Sequence, residues 1–423
     1  MNVKNSFSPE IVEKIYLSAC EMHQSGRYKE AEDHYTSLLA SFPESSSLHY
    51  NMGLLLYEQE KYNESLGHYL QALEFSEEDP DILYNLGLCL KKCDKVNEAI
   101  LVYVGLAKMI PDDADCLYNL ACCYKDIHEH SKAIEVLRQV LQLQPAHQSA
   151  TNNLAYLLHL QGNLHEAKLQ YQQLLELNPR HQAARHMLAS VQGEKVSNAP
   201  EEYIRTVFNS YARDFEDNLV QGLSYSVPEQ LRHALDLLAG LRIPFHQALD
   251  LGCGTGLGGV AFADICENLS GVDISEDMIE KAREKGIYDS LVVNEITRFL
   301  QTTTACYDLF VLADVLIYIG DLEPALAAIH FRATEAAMLC FSTETTDEAD
   351  FQLQPTGRFA HSPEYVATIA EKIGWAVQRS IATRLRKEGS DWVAGSLFFL
   401  SKRTPATKPL SKNNMAREMP GTA

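Results

Sequence analysis

Between residues 12 and 191 the chain repeats itself every 34 residues, and this period restricts the fold more than any other feature. Small residues recur at Ala19, Gly53, Gly87, Ala121, Ala155 and Ala189. A second small series, offset by 12, runs Ala31, Ser65, Ala99, Ala133 and Ala167. Tyrosines follow at Tyr35, Tyr69, Tyr103 and Tyr171, with Leu137 in their place in the fourth unit, and prolines close most units at Pro43, Pro111, Pro145 and Pro179. A unit of this length holds two helices and a turn. The small residues let the helices approach, the tyrosines fill the groove between them, and proline ends the second helix.

The pattern resembles tetratricopeptide repeats over residues 12–181, with 182–191 as a last helix, and assigns residues 1–193 to an all-α solenoid. Its one displaced proline is Pro80. Asn51, Asn85, Asn119 and Asn153 share the period, so they form a line along the first helices. An amide can bond both the N–H and the C=O of a passing backbone. The resemblance implies that first helices line a concave face and that an asparagine row there grips an extended protein or peptide partner. The alternative is that these amides bond between neighbouring repeats or simply cap exposed surface.

At 423 residues the chain needs more than one core, and 46% hydrophobic against 22% charged residues is the balance of a globular protein. A net charge of −21 repels phosphate backbones, which argues against nucleic acid. The 10 cysteines form neither a zinc-type CxxC pair nor a disulfide framework and read as reduced thiols. Neither a signal-like start nor an apolar run of membrane-spanning length appears, so a cytoplasmic protein without a membrane partner is expected.

Periodicity stops in a polar stretch that reads as a linker over residues 194–201. Beyond it, β-rich runs alternate with amphipathic segments: 247–251, 269–273, 291–293, 308–313, 336–342, 376–383 and 393–401. Seven strands with helical spacers predict a Rossmann-like α/β domain over 202–401, a mixed sheet whose last two strands form an antiparallel hairpin. The residues 402–423, rich in Lys and Arg and without an apolar stripe, read as a disordered tail.

The first of these strands runs into Asp250-Leu251-Gly252-Cys253-Gly254-Thr255-Gly256. Glycines after a strand permit a tight turn and let a ligand press against bare backbone. Their spacing also satisfies the dinucleotide pattern, but a pyrophosphate would face the Asp250 carboxylate, whereas the sulfonium and ammonium of S-adenosylmethionine (SAM) favour it. Asp273 at the tip of the second strand can accept both ribose hydroxyls. Ile274 and Met278 follow, with the Met278 thioether placed to lie against adenine. Glu295 at the end of the third strand can take the adenine amino group while the Ile296 N–H reaches a ring nitrogen, and Asp314 ends the fourth.

On these residues the stretch 201–400 resembles class I SAM-dependent methyltransferases, and is similar to bacterial methyltransferases carrying tetratricopeptide repeats. The matching pieces are LDLGCGTG (249–256), GVDIS (271–275), YDLFVLADVLIYIGDLEPAL (307–326) and GRFAHS (357–362). The segment 208–219 looks like the helix that covers the cofactor in that group, and the resemblance implies Tyr211 as a contact to the methionine end. Ordinary packing of Tyr211 and Phe215 on one helix face is the alternative.

Methyl transfer is an in-line displacement that needs alignment and sometimes a base. His361 follows the fifth strand and is the candidate base, while Arg358 could hold an anionic substrate. The alternative for His361 is a cap on the helix starting near Pro363 or a bond to a loop carbonyl; Ser362 before Pro363 reads as a helix N-cap. Asp314-Val315-Leu316-Ile317 lacks the Asn/Asp-Pro-Pro-aromatic signature of enzymes acting on exocyclic or amide nitrogens. With an array attached, a protein or carrier-bound acceptor is expected. The rivals are a scaffold whose α/β domain only senses SAM, and a nicotinamide-dependent oxidoreductase.

Overall fold

The structure, a computed structural model, describes residues 8–76, 78–211, 216, 222–238, 243–388 and 391–403; the side chains of Ser210, Tyr211 and Ala336 are outside that description. Two compact units divide between Ala184 and Arg185.

The first unit is an antiparallel series of helices: α1 (Pro9–Gln24), α2 (Tyr28–Ser41), α3 (Ser46–Glu58), α4 (Tyr62–Phe75), α5 (Pro80–Lys92), α6 (Val96–Met109), α7 (Ala114–Asp126), α8 (His130–Leu143), α9 (Gln148–Leu160), α10 (Leu164–Leu177) and the start of α11 (Gln182–Gln192). The period governs how each pair closes. A Cβ on Gly53 would stand 2.7 Å from the Tyr69 ring, and one on Gly87 2.5 Å from Tyr103, so glycine is what lets the tyrosine in. Tyr35, Tyr69, Tyr103, Tyr171 and the substituting Leu137 are all buried.

First helices start at side-chain caps that keep the period: Ser45, Asp79, Asp113 and His147 each accept from the following backbone N–H groups. The turns inside each unit keep it too. Gly26, Glu60, Asp94, His128 and Gly162 all take the left-handed conformation, with φ between 58° and 75°. Three of the five therefore bear a side chain where the backbone favours glycine.

In the second unit the remainder of α11 is followed by α12 (Glu201–Tyr211), α13 (Val227–Asp236) and an alternation of strands and helices. The strands are β1 (Ala248–Leu251), β2 (Leu269–Asp273), β3 (Ser290–Val293), β4 (Tyr307–Leu312), β5 (Ala333–Thr345), β6 (Phe351–Leu353), β7 (Phe359–His361), β8 (Trp375–Glu388) and β9 (Asp391–Lys402). Between them lie α14 (Leu257–Phe262), α15 (Glu276–Glu284), α16 (Ile296–Thr302), α17 (Glu323–Arg332) and α18 (Pro363–Ile373).

The sheet runs β3-β2-β1-β4-β5 in parallel, with β9 antiparallel to β5 and β8 antiparallel to β9. One apolar cluster on Leu249, Phe310, Leu339, Phe341 and Phe398 fills one face, and another on Ala248, Leu309, Val311, Cys340 and Phe399 fills the other. Alternate residues of one strand thus serve two cores, as a sheet covered on both faces requires.

The mixed sheet and its terminal hairpin are as expected from sequence, but two strands are additional. β6 pairs β7, and β7 adds to the end of β5 through Glu344–Ala360 and Thr345–His361. At three residues each they are too short to show a period.

The polar stretch 194–201 is not free chain in this unit. Ser197 O accepts from the N–H groups of Gly320 and Asp321 at 2.7 and 2.9 Å, and Ala199 N donates to Tyr318 O at 3.0 Å. Backbone hydrogen bonds need no apolar side chains, which is why composition reads the stretch as a linker.

Candidate cofactor site

The turn after β1 is shaped by backbone that only glycine holds easily: Gly252, Gly254 and Gly256 have φ of 71°, 53° and 97°. Gly252 also lies so close to Val315 that a Cβ there would collide with its methyls. The three glycines do different things. Gly252 and Gly254 are half-exposed, and a Cβ on Gly254 would meet open space, while Gly256 is buried over the Tyr288 ring and shapes the turn from beneath.

Asp273 at the tip of β2 ties this turn to the neighbouring strand. Its Oδ2 accepts from Gly254 N at 2.8 Å and its Oδ1 from Ser275 N at 2.9 Å. Burial raises its carboxyl above the ordinary range, and the N–H groups of Ser275, Gly254 and Ile274 work against that rise. Of about four acceptor positions on the carboxylate three face backbone N–H groups, so one remains for a ribose hydroxyl without displacing the protein donors. Ile274 is half-exposed and offers an apolar face beside it. Ser275 caps α15 through Met278 N and also donates to Asn209 Oδ1 at 2.6 Å, which fastens α12 to this strand end.

Asp250 is 2% exposed, below the turn. Its Oδ2 accepts from the Tyr288 hydroxyl at 2.7 Å, and that hydroxyl accepts from Gly259 N at 3.1 Å. Burial lifts the Asp250 carboxyl to about 7; the Tyr288 bond opposes the rise and the Asp273 carboxylate adds to it.

Several expected roles are corrected. Met278 is fully buried and shows no face for adenine, because α15 turns it into the fold. Glu295 spends both oxygens on α16, accepting from Thr297 N at 2.8 Å and Arg298 N at 2.7 Å, so it is a helix cap. Ile296 is buried as a side chain, and its N–H is the first of α16, a position without an intrahelical acceptor.

Asp314 takes a left-handed φ of 60° and pairs with Arg386, whose other nitrogen pairs with Glu344. Arg358 completes the group, bonding Glu344 at 2.8 Å and Glu388 at 2.6 Å. Neither Asp314 nor Arg358 is therefore free for a cofactor or an anionic substrate. Arg386, Glu344 and Tyr288 are the site residues that sequence reasoning missed: they sit inside strands or before one, with no glycine turn to mark them.

His361 is also reassigned. It is 0% exposed on β7, and its Nε2 lies 2.8 Å from Ile319 O and 3.1 Å from Gly320 O, so this nitrogen is the donor of a neutral ring. Burial pushes its pKa down to about 4, against the pull of the two carbonyls. It anchors the segment after β4 instead of facing a substrate. Ser362 caps α18 through Tyr365 N, as expected. The Tyr211 side chain and Phe215 lie outside the described residues.

In the first unit the asparagines bond to the preceding repeat. Asn51, Asn85, Asn119 and Asn153 donate through Nδ2 to the hydroxyls of Tyr16, Tyr50, Tyr84 and Tyr118 at 3.0, 3.1, 2.9 and 3.2 Å. Asn51 and Asn85 also donate to Ser47 O and Asp81 O in their own helices. The row is a ladder between repeats, because each asparagine follows a tyrosine or its equivalent by one residue and the superhelix brings residues 35 apart into register.

A parallel sheet in this order, a glycine turn after β1 and an acid at the tip of β2 define a class I SAM-dependent methyltransferase domain, here following a tetratricopeptide array. The residues fit the cofactor: open space at Gly254, an apolar face at Ile274 and spare acceptor capacity at Asp273.

Comparison with known proteins agrees. Residues 249–333 match the family model described as a methyltransferase domain, 53–92 a TPR repeat, and 114–147 and 149–181 a tetratricopeptide repeat. A methyltransferase domain and, ahead of it, tetratricopeptide repeats are thus both matched within the chain. Nodulation protein S of Rhizobium tropici is 32% identical over 105 residues, 24% of this chain and 43% of that protein. The protein of the same name from Bradyrhizobium diazoefficiens is 39% identical over 85 residues, 19% and 40% respectively. The match thus spans about two-fifths of the length of these relatives.

Among solved structures, YrrB, a TPR protein with an unusual peptide-binding site, is 19% identical with a TM-score of 0.38, covering 41% of this chain and 89% of that one. The N-methyltransferase NodS from Bradyrhizobium japonicum WM9, in complex with S-adenosyl-L-homocysteine (SAH), is 19% identical with a TM-score of 0.34, covering 41% and 85%.

Proposed function

We propose that this chain transfers a methyl group from SAM to an acceptor that is, or is carried by, a protein recruited by the array. The observation that carries the reading is the junction at Asp273, where one carboxylate holds the glycine turn through Gly254 and keeps an acceptor position for a ribose. Bound SAM supplies an electrophilic methyl on a sulfonium. The backbone at Gly252 and Gly254 admits the ligand closely, Ile274 excludes water from its apolar part, and Asp273 fixes its orientation.

The array would hold its partner on the face of the first helices. There the half-exposed rings of Tyr16, Tyr50, Tyr84 and Tyr118 form a row at the repeat spacing. The asparagine ladder supports that row.

Incubating the full chain with SAM and cell extract, followed by measurement of SAH, tests the reading. Product above an Asp273→Ala control is expected, and its absence would sink the enzyme. One observation favours a second reading, a SAM-sensing scaffold without turnover: the candidate base His361 is sealed from solvent. Binding of SAM with no turnover in any extract would select it.

A further inference from the structure

Tyr288 lies between α15 and β3, and three glycines close on its ring. A Cβ would stand 2.5 Å from its Cζ if placed on Gly259, 3.0 Å from Cε1 on Gly271 and 3.2 Å from Cε2 on Gly256. Part of the glycine pattern around the turn is therefore the imprint of one aromatic ring. Its hydroxyl links the start of α14 to the end of β1, accepting from Gly259 N and donating to Asp250 Oδ2.

Among the described residues the groups around Asp250 are acids. Asp273 on β2, Cys253 in the turn, Cys266 before β2 and Tyr225 before α13 are the titratable groups that bear on it besides Tyr288. Lys285, whose side chain packs beside Gly256, is committed to Glu216 at 2.7 Å. No cation pairs with Asp250 among the described residues, so a buried carboxylate there keeps its charge only through hydrogen-bond donors.

We propose that Tyr288 is a positioning residue for the cofactor. Its hydroxyl fixes the Asp250 carboxylate beneath the glycine turn and keeps it ionised, so that the site prefers the sulfonium cofactor to the neutral thioether product left after transfer. The inference rests on the SAM-binding reading above. SAM and SAH differ at sulfur by one methyl and one positive charge, and a carboxylate acting through dry backbone separates them far better than it would through water. Asp250 titrates near neutrality, so a proton taken up as the pH falls cancels the preference. Without the Tyr288 hydroxyl the ionised form loses a donor, and the same loss begins at higher pH.

Calorimetric titration of the full chain with SAM and with SAH, from about pH 5.5 to about pH 9, reads this directly. In the natural protein the SAM-to-SAH affinity ratio rises with pH on the order of tenfold more than in Asp250→Asn, where the ligands' own amines and the remaining site carboxyl of Asp273 still titrate. In Tyr288→Phe, which keeps the ring under the glycines, the midpoint of that rise moves up by about one pH unit. Identical ratio profiles in all three proteins would overturn the proposal. So would a Tyr288→Phe variant that loses both ligands equally at every pH with a lowered melting temperature, since that is a packing role only. Failure of the natural protein to bind SAM at any pH would overturn the methyltransferase reading together with it.

Discussion

Asn119 donates its side-chain N–H to the hydroxyl of Tyr84, one repeat earlier, at 2.9 Å, and the same bond joins each successive pair of first helices from α1 to α9. The four bonds act across interfaces that local helix propensity does not stabilise. Each Asn→Ala change should destabilise by about 0.5–1.5 kcal/mol despite the better helix propensity of alanine. In a double-mutant cycle, Asn119→Ala and Tyr84→Phe should be strongly non-additive. Urea unfolding of the single and double variants checks this, and fully additive effects would remove the bond from the stability of the array.

The left-handed turns make a prediction of opposite sign. Glu60 and His128 carry a Cβ where Gly26 and Gly162 do not, at a cost of about 1 kcal/mol each. Glu60→Gly and His128→Gly should each stabilise by about 0.5 kcal/mol after the added freedom of the unfolded chain is subtracted. Gly162→Ala should destabilise by a similar amount or more. Thermal melts of the three variants give the signs.

His361 confers a pH dependence. Its folded pKa of about 4 lies below the ordinary value of 6.5, so the unfolded chain binds the extra proton between those values. Stability from the neutral ring is therefore complete above about pH 6.5 and is lost as the pH falls towards 4, by roughly 2–3 kcal/mol. His361→Gln should be less stable than the natural protein at pH 8 and should flatten the dependence in that window. An unchanged slope would place the titrating group elsewhere.

Arg386 holds two carboxylates, Asp314 and Glu344, and is itself buried. Arg386→Met should cost about 3–5 kcal/mol, because both acids then lose their shared cation in a dry environment. Adding Glu344→Gln should restore part of that loss, although Glu344 is also paired with Arg358. Denaturant midpoints of the single and double variants decide it; a double variant weaker than the single would mean that Glu344 matters mainly through Arg358.

Asp273→Ala removes acceptors for two backbone N–H groups as well as for the ribose, so its effect on SAM should exceed that of a lost ligand bond. A hundredfold weaker affinity or more is expected, on the order of two charge-assisted hydrogen bonds. Asp273→Asn retains one oxygen acceptor and should fall between. Calorimetry on all three proteins tests the order, and equal affinities would dissociate this strand end from the cofactor.

By itself the sequence determined the class of each unit, because that information is periodic or local. The spacing of Gly53 and Gly87 against Tyr69 and Tyr103 is a packing rule written once per repeat, and the turn at Gly252–Gly256 is a backbone rule written in consecutive residues. The tertiary structure decided what each polar side chain bonds. An asparagine row reads the same whether its amides face a peptide or a tyrosine 35 residues back, and only the helix stacking distinguishes the two. Glu295 and Asp314 look alike as acids at strand ends. One caps the helix after it and the other meets an arginine 72 residues further along, since a hydrogen bond or ion pair is set by distance in space and leaves no period in the chain.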